Sequence, residues 1–428
     1  MRVMKWSMIA LAVAAGTSQL AVASSQDEAK GFIEDASAGV KLRNLYFSRD
    51  FRNRENDPDG PTQSYAKEWG QGFIGTFESG FTQGTVGVGV DAIGLLGIKL
   101  DSGRGRVGTG LFPTDSDGRS QDEYSKGGAA VKFRVSDTVL KVGDQFTALP
   151  VFATDDSRLL PEMAQGALIT SSEIKGLTLH AGRFTSLTAQ EQTNRDSFRL
   201  KEANVVGGTY AFTDSLSTSL YYSKVEDYWR KVYANVNWAL PISDTQGLVF
   251  DANFYDTKSD GAGLQRAAKD DATELDNRAF SLSGAYNIGA HTFTVAFQRV
   301  TGDGDYGYGV DGGGTVFLAN SIARSDFNAE DEKSWQVRYD LNFAEYGIPG
   351  LSFMTRYARG TGANTATTDN GKEWERDVDV KYVLQDGPAK DLSFRVRQAT
   401  YRSSDGVYYG SDSIDELRLI VEYPLSIL

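Results

Sequence analysis

Through most of this chain, apolar side chains fall on every second residue, and this alternation limits the possible folds more than any other property. In Thr85–Ala92, Val86, Val88, Val90 and Ala92 share one parity, while Thr85, Gly87, Gly89 and Asp91 share the other. Ala129–Ser136 sets Ala129, Val131, Phe133 and Val135 against Lys132, Arg134 and Ser136. The same division separates Val232, Ala234, Val236, Trp238 and Leu240 from Lys231, Asn235 and Asn237. It also separates Trp335, Val337, Tyr339, Leu341 and Phe343 from Gln336, Arg338, Asp340 and Asn342. A strand points successive side chains to opposite faces, so each segment reads as a strand with one apolar face. No segment carries a convincing helical period beyond a turn or two.

Eighteen candidate strands follow, from 38–49, 69–81 and 85–100 at one end of the chain to 373–385, 392–401 and 414–425 at the other. Their connections alternate between short and long. Short turns fall at Thr82–Gly84, Ser136–Asp137, Glu173–Gly176, Thr213–Ser215, Pro241–Thr245, Ile288–Ala290, Ala344–Gly350 and Asp386–Asp391. Longer polar loops lie between them, including Asp50–Glu68, Asp101–Ser125, Phe146–Gly166, Thr185–Ala203, Thr257–Asp276 and Thr301–Ser334. One connection, Glu226–Tyr228, is too short to fit. A soluble sandwich has no reason to gather its long loops at one end, whereas an outer-membrane barrel does. In lipid every backbone N–H and C=O must be paired within the protein, so a spanning sheet must close. The expectation is an all-β fold: a closed 18-stranded antiparallel transmembrane β-barrel with short periplasmic turns and long extracellular loops.

Composition closes other routes. The 428 residues include no Cys and only His180 and His291, which excludes a disulfide scaffold, a thiolate metal site and a multi-His centre. No cofactor or metal is expected. A net charge of −13 leaves no general basic face, so nucleic acid is not an expected partner. The mean hydropathy of −0.36 would suit a soluble protein, but alternation conceals a membrane face by distributing it one residue at a time. Residues 1–23 read as a signal peptide: Arg2 and Lys5, the apolar stretch Trp6–Ala15, then Ala21-Val22-Ala23. Cleavage would leave Ser24–Leu428 as the barrel domain and, without those two cations, would take the net charge from −13 to −15. Trp69, Tyr124, Tyr228, Trp238, Trp335, Trp374 and Tyr423 lie near strand ends, where aromatic girdles are expected.

Several long motifs, in order, give the chain a resemblance to the OprD family of outer-membrane porins, the outer-membrane carboxylate channels. They include Lys30-Gly-Phe-Ile-Glu-Asp35, Arg43-Asn-Leu-Tyr-Phe-Ser-Arg-Asp50 and Gly70–Asp101 with its ESGFTQGTVGVGVD core. Further on come Pro150-Val-Phe-Ala153, Ser157-Arg-Leu-Leu-Pro161, Phe317-Leu-Ala-Asn-Ser321 and Glu332-Lys-Ser-Trp-Gln-Val-Arg-Tyr-Asp-Leu341. Gly387-Pro-Ala-Lys-Asp-Leu-Ser-Phe-Arg-Val-Arg-Gln398 and the final Leu417–Leu428 complete the set. The resemblance implies a monomeric barrel, narrowed by inward loops, that passes small water-soluble nutrients. Weak homo-oligomers and a trimeric 16-stranded general porin are the alternatives, the latter opposed by the strand count. Other partners expected of such a barrel are outer-membrane lipid and lipopolysaccharide, small solutes and the barrel-assembly machinery.

Parity also sorts the charges. Arg395 and Arg397 oppose Phe394 and Val396, Arg418 opposes Leu417 and Leu419, and Lys381 opposes Val380 and Tyr382. Arg43 and Arg49 share a parity with Lys41. First and last strands are neighbours in a closed barrel, so these residues converge on one wall. An outward Arg costs about 2–4 kcal/mol at the bilayer midplane, which favours the lumen. Such a row offers successive carboxylate sites, or else structural ion pairs with Asp377, Asp379 or Glu416. The family resemblance implies the former, a basic ladder matching Arg49, Lys381, Arg395, Arg397 and Arg418.

Two loops stand out. Phe146–Gly166 carries Pro150, Phe152, Asp155, Asp156, Arg158 and Pro161. Its prolines and apolar residues indicate a loop packed against something, either a surface loop with a small apolar patch or, as the family resemblance implies, a loop folded inward as a constriction. Thr301–Ser334 is glycine-rich; Asp303 and Asp305 lack the rest of a calcium loop, and a solvated loop is expected. The family branch associated with basic amino acids often has an acid before the Phe317–Ser321 motif. Here the stretch reads Gly-Gly-Gly-Thr-Val, with Asp311 the nearest acid. The alternative functions are an outer-membrane adhesin with acidic loops, or a barrel enzyme of serine-hydrolase type. Neither His180 nor His291 accompanies a Gly-x-Ser-x-Gly motif, so no enzyme activity is expected.

Overall fold

The computed structural model describes residues 26–52, 63–101, 103, 105–195, 200–267, 274–310, 313–365, 368–404 and 413–428. The signal-peptide residues and Asp311 therefore lie outside the described residues. Strands β1 (Ser37–Phe51), β2 (Tyr65–Glu78), β3 (Gly87–Lys99), β4 (Glu123–Val135) and β5 (Thr138–Gln145) come first. A small hairpin follows, β6 (Ala148–Leu149) with β7 (Phe152–Ala153). Next are β8 (Met163–Ile174), β9 (Leu177–Thr188), β10 (Ala203–Thr213), β11 (Leu216–Val225), β12 (Trp229–Ser243) and β13 (Gln246–Ser259). The chain ends with β14 (Asp276–Ile288), β15 (His291–Asp303), β16 (Lys333–Asn342), β17 (Leu351–Ala363), β18 (Gly371–Val383), β19 (Ser393–Ser403) and β20 (Ile414–Ser426).

Apart from the small hairpin, every strand pairs antiparallel with its neighbours in sequence, and β20 returns to β1. The sheet is a closed 18-stranded barrel. All eighteen segments read from the alternation are strands, with β2 and β8 starting about four residues earlier than expected. Val131, Phe133 and Val135 are exposed to the outside while Lys132 and Arg134 between them are buried. Val232 and Lys231 divide in the same way. Closure leaves no sheet edge across the membrane.

Two connections differ from expectation. Glu226–Tyr228 is a genuine three-residue turn on the long-loop side, with Asp227 left-handed at φ 64°. The next loop folds over it: Asp260 N donates to Tyr228 O at 3.2 Å and Leu264 N to Asp227 O at 2.8 Å. Thr301–Ser334 is not a solvated loop. Asn320, Ser325, Phe327 and Glu332 are buried, and Tyr306 and Leu318 join an aromatic core inside the barrel. Tyr124 and Tyr228 are buried rather than part of an outer girdle, whereas Trp69, Trp238 and Trp335 are exposed on the outside. Parity near a strand end does not reveal whether a loop will cover an inward ring.

Candidate substrate pathway

The cations singled out in the sequence come together on four adjacent strands, β18, β19, β20 and β1. Lys381 lies opposite Arg395, and Arg397 lies opposite both Asp379 and Arg418. Across the closure, Arg49 faces Glu416 and Arg43 faces Glu422. All six take the inward parity because Val380, Tyr382, Phe394, Val396 and Leu419 occupy the outward one, exposed to lipid.

Their surroundings divide them into two groups. Arg395 and Arg397 share one carboxylate, Asp379, with Nη2 of Arg395 at 2.7 Å and Nε of Arg397 at 3.0 Å. These two side chains stay 33% and 24% exposed, and Lys381 beside them makes no ion pair among the described residues. Three cations answered by one acid leave this stretch of wall net positive.

Arg43, Arg49 and Arg418 are occupied instead. Arg49 and Arg418 hold opposite oxygens of buried Glu416, at 2.9 and 2.6 Å. Nη1 of Arg418 also donates to Ser157 O at 3.4 Å and Nη2 to Ala323 O at 3.3 Å. Arg43 pairs with Glu422 and Asp156, both at 2.7 Å, and donates to Arg158 O at 2.7 Å. Phe47 is wholly buried among three guanidinium groups, with Arg418 at 4.3 Å, Arg49 at 4.6 Å and Arg158 at 5.4 Å from its ring centre. A planar cation stacked on a ring keeps its edge free for hydrogen bonds, so Phe47 sets the plane in which these arginines present their donors.

The third loop, residues 146–162, crosses the lumen. Its first half rests on the wall opposite the ladder: Phe152 stacks on Phe184 with ring centres 4.6 Å apart, and Tyr255 OH donates to Pro150 O at 3.0 Å. Its second half reaches the ladder through Asp156, which takes Arg43 at 2.7 Å and Lys41 at 3.3 Å. Burial works against the Asp156 charge, but Arg43 and then Lys41 outweigh it and hold the carboxyl below its ordinary range. Asp155 faces back into the loop and accepts from Ser157 N at 2.8 Å, while Arg158 Nε donates to Thr109 O at 3.1 Å. Buried Leu159 lies against β2 where Gly72 leaves room; a Cβ there would stand 2.9 Å from Leu159 O.

The seventh loop, residues 304–332, approaches from the other side. Glu375 on β18 accepts the N–H groups of Arg324 and Ser325 at 2.9 and 2.8 Å, and Glu373 accepts Ser325 Oγ at 2.8 Å. Gln298 donates to Asp326 O and Phe327 O at 2.7 and 2.9 Å. Lumen-facing carboxylates need donors, and this loop's backbone supplies them. Arg418 thus touches both loops, through Ser157 and Ala323. The two loops and the basic wall therefore meet at Arg418.

This arrangement coincides with a match to the outer membrane porin, OprD family, model over residues 30–427. The chain belongs to the OprD family of outer-membrane porins. It is 47% identical to Porin D of Pseudomonas aeruginosa, with all of both chains covered. The crystal structure of Pseudomonas aeruginosa OprD superposes with a TM-score of 0.79 at 44% identity, covering 95% of this chain and 99% of that one. That of Pseudomonas aeruginosa OpdK with vanillate gives 0.83 at 37% identity, covering 92% and 100%. The protein is a substrate-specific porin of the Gram-negative outer membrane and not an enzyme. Its histidines are built into the wall: His180 Nδ1 lies 3.0 Å from Tyr221 OH, and His291 Nδ1 lies 2.8 Å from Tyr339 OH.

Residue types alone did not single out several parts of this porin's pathway. Phe47 shares the inward parity of Arg43 and Arg49, a signal that was present but is also that of ordinary apolar packing. Arg356, inward on β17 and 2.6 Å from Asp377, extends the charged wall sideways, facing Arg338 across the ladder. Asp379, expected from the sequence only as one of three ion-pair partners of the row, is the residue that separates the two groups of arginines, a role its register beside Arg397 reveals.

Proposed function

We propose that this porin carries small carboxylate-bearing solutes by passive diffusion, and that Lys381, Arg395 and Arg397 form the stretch of wall that guides them. The observation carrying this reading is the imbalance at Asp379, one carboxylate serving two partly exposed arginines beside a lysine unpaired among the described residues. A solute carboxylate would accept remaining N–H groups of Arg397 and Arg395 in turn, each exchange replacing water with a charge-assisted hydrogen bond. Sharing with Asp379 weakens each site, and transport needs binding weak enough to release. Vanillate, bound in the OpdK structure, is itself a carboxylate, which supports this solute class. Arg43, Arg49 and Arg418 then set the shape of the passage, their donors being committed to acids and loop carbonyls.

The test is planar-bilayer recording of Arg395→Ala with Arg397→Ala, in chloride and with benzoate-type and amino-acid solutes. Carboxylate flux should fall about tenfold, equivalent to ~1.4 kcal/mol, with total conductance changed less than about twofold. Equal loss of both, or of neither, would remove the ladder from the mechanism.

A further inference from the structure

The outer surface of the barrel carries a second set of cations, at its extracellular end. On β9 to β14 each outward cation faces an acid: Arg183 with Glu202 at 2.5 Å, Lys224 and Arg230 with Asp260 at 3.5 Å, Lys258 with Asp276 at 3.3 Å, and Arg278 with Asp256 at 3.1 Å. On β15 to β18 the pattern changes. Arg299, Lys333, Arg359, Lys372 and Arg376 all point outward, on the parity of exposed Phe297, Trp335 and Val380. None has an ion pair or a side-chain hydrogen bond among the described residues. The Nε of Arg299 is buried and unpartnered.

These residues form one patch. Lys333 lies opposite Arg299 on one side and Thr361 on the other, and Thr361 lies opposite Lys372. Arg359 sits between Trp335 and Trp374, and Arg376 faces Tyr357. Tyr357 packs between the two indoles, with ring centres 5.5 Å from Trp335 and 5.8 Å from Trp374. The outward positions of β16 to β19 hold no carboxylate. Asp415 on β20 is taken by Arg402 at 2.8 Å and Arg52 at 2.5 Å, while Asp303 at the same end of β15, Asp331 and Asp369 make no ion pair with these cations among the described residues. Towards the periplasm the same faces carry Val337 and Tyr339, Phe353 and Thr355, Val378 and Val380, and Phe394 and Val396, with no charge at all. The unpaired cations are therefore confined to the external interface, just above an apolar band and among the aromatic rings that settle at headgroup depth.

Five unpaired cations on an acidic protein call for anionic partners, and at this depth the partners are lipid headgroups. We propose that the outward face of β15 to β18 binds the phosphorylated glycolipid of the external leaflet, lipid A of lipopolysaccharide. Lys333, Arg359, Lys372 and Arg376 hold its phosphates, and Trp335, Tyr357 and Trp374 lie against its sugars and upper acyl chains. Arginine forks match phosphate oxygens two at a time, and lysines add point charge. The spread over four strands suits a headgroup with two separated phosphates better than one with a single phosphate.

The test is native mass spectrometry of the detergent-solubilised barrel, titrated in turn with bis-phosphorylated lipid A, monophosphorylated lipid A and phosphatidylglycerol. Wild-type barrel should retain bis-phosphorylated lipid A at least about tenfold better than either other lipid. The variant Lys333→Gln, Arg359→Gln, Lys372→Gln, Arg376→Gln should lose that preference, while Lys224→Gln with Arg230→Gln, from the paired sector, should keep it. Single-channel conductance equal to wild type establishes that each variant is folded. Should the fourfold variant fail that check, the pairs Lys333→Gln, Arg359→Gln and Lys372→Gln, Arg376→Gln are compared, each expected to lose about threefold. Unchanged lipid A retention in the folded variants overturns the proposal, as does equal binding of phosphatidylglycerol by the wild type.

Discussion

Arg418 and Arg397 lie directly opposite each other on β20 and β19, share a residue type, and point into the same lumen, yet they are differently employed. Arg418 is fully buried, stacked on Phe47, and its donors go to Glu416, Ser157 and Ala323. Arg397 gives one donor to a carboxylate it shares, and about a quarter of its side chain remains exposed. The contrast teaches that a ladder of like cations is not a uniform rail. Whether an arginine offers itself to a solute depends on how many fixed acceptors its neighbours bring, and here the loops bring acceptors to one group and not the other.

The largest break in this comparison should come from Arg418→Ala. It leaves Glu416 buried with one partner fewer and releases carbonyls from both loops, a stranded-charge defect of about 3–5 kcal/mol. Thermal unfolding should shift down and bilayer traces should become larger and noisier, since both loops lose a tether. Arg395→Ala with Arg397→Ala leaves both loops tethered but strips buried Asp379 of both its partners, so it should reduce carboxylate flux about tenfold without the added noise. If Arg418→Ala instead altered only carboxylate flux, the division into two groups would be wrong.

A smaller effect is expected at the far side of the third loop. Asp156→Asn removes its ionic hold on Arg43 and Lys41 but leaves Phe152 against Phe184, so open-state noise should rise by about twofold with little change in unfolding. Acid should reproduce this in the wild type. The Asp156 carboxyl is held below its ordinary range, so its contribution is present at neutral pH and lost only as pH falls through that depressed value. Current noise should therefore stay flat down through the usual aspartate range and rise below it, a rise absent from Asp156→Asn. The smallest change should come from Lys381→Gln, with less than about a twofold reduction in carboxylate flux, fading at high salt because an exposed lysine is screened. A loss equal to that of the arginine pair would make Lys381 a principal site.

The barrel was legible because its signal is repeated eighteen times, and each strand needs only its own alternation to declare a face. The side of the ladder was legible for the same reason: Val380, Phe394 and Val396 claim the lipid parity and leave the cations no other. The third loop announced that it packs against something through Pro150, Phe152 and Pro161, and the family resemblance supplied the inward fold. The seventh loop gave no such warning. Its glycines read as solvated, and what draws it in are the distant acceptors Glu373 and Glu375, 48 to 51 residues further along and on another strand. Tyr124 and Tyr228 were misread for a related reason, since an inward ring near a strand end resembles a girdle residue until a loop covers it.

By itself, then, the sequence determined the closed sheet, its membrane setting and which face each charge would take, because those follow from parity and the cost of unpaired backbone in lipid. The tertiary structure alone decided which arginines are spent on loops and which stay partly exposed in the lumen, and which outward cations lack a partner among the described residues. Those are matters of register and loop docking: they depend on residues brought together across the closure of β20 onto β1 and across the lumen, distances that no local pattern encodes.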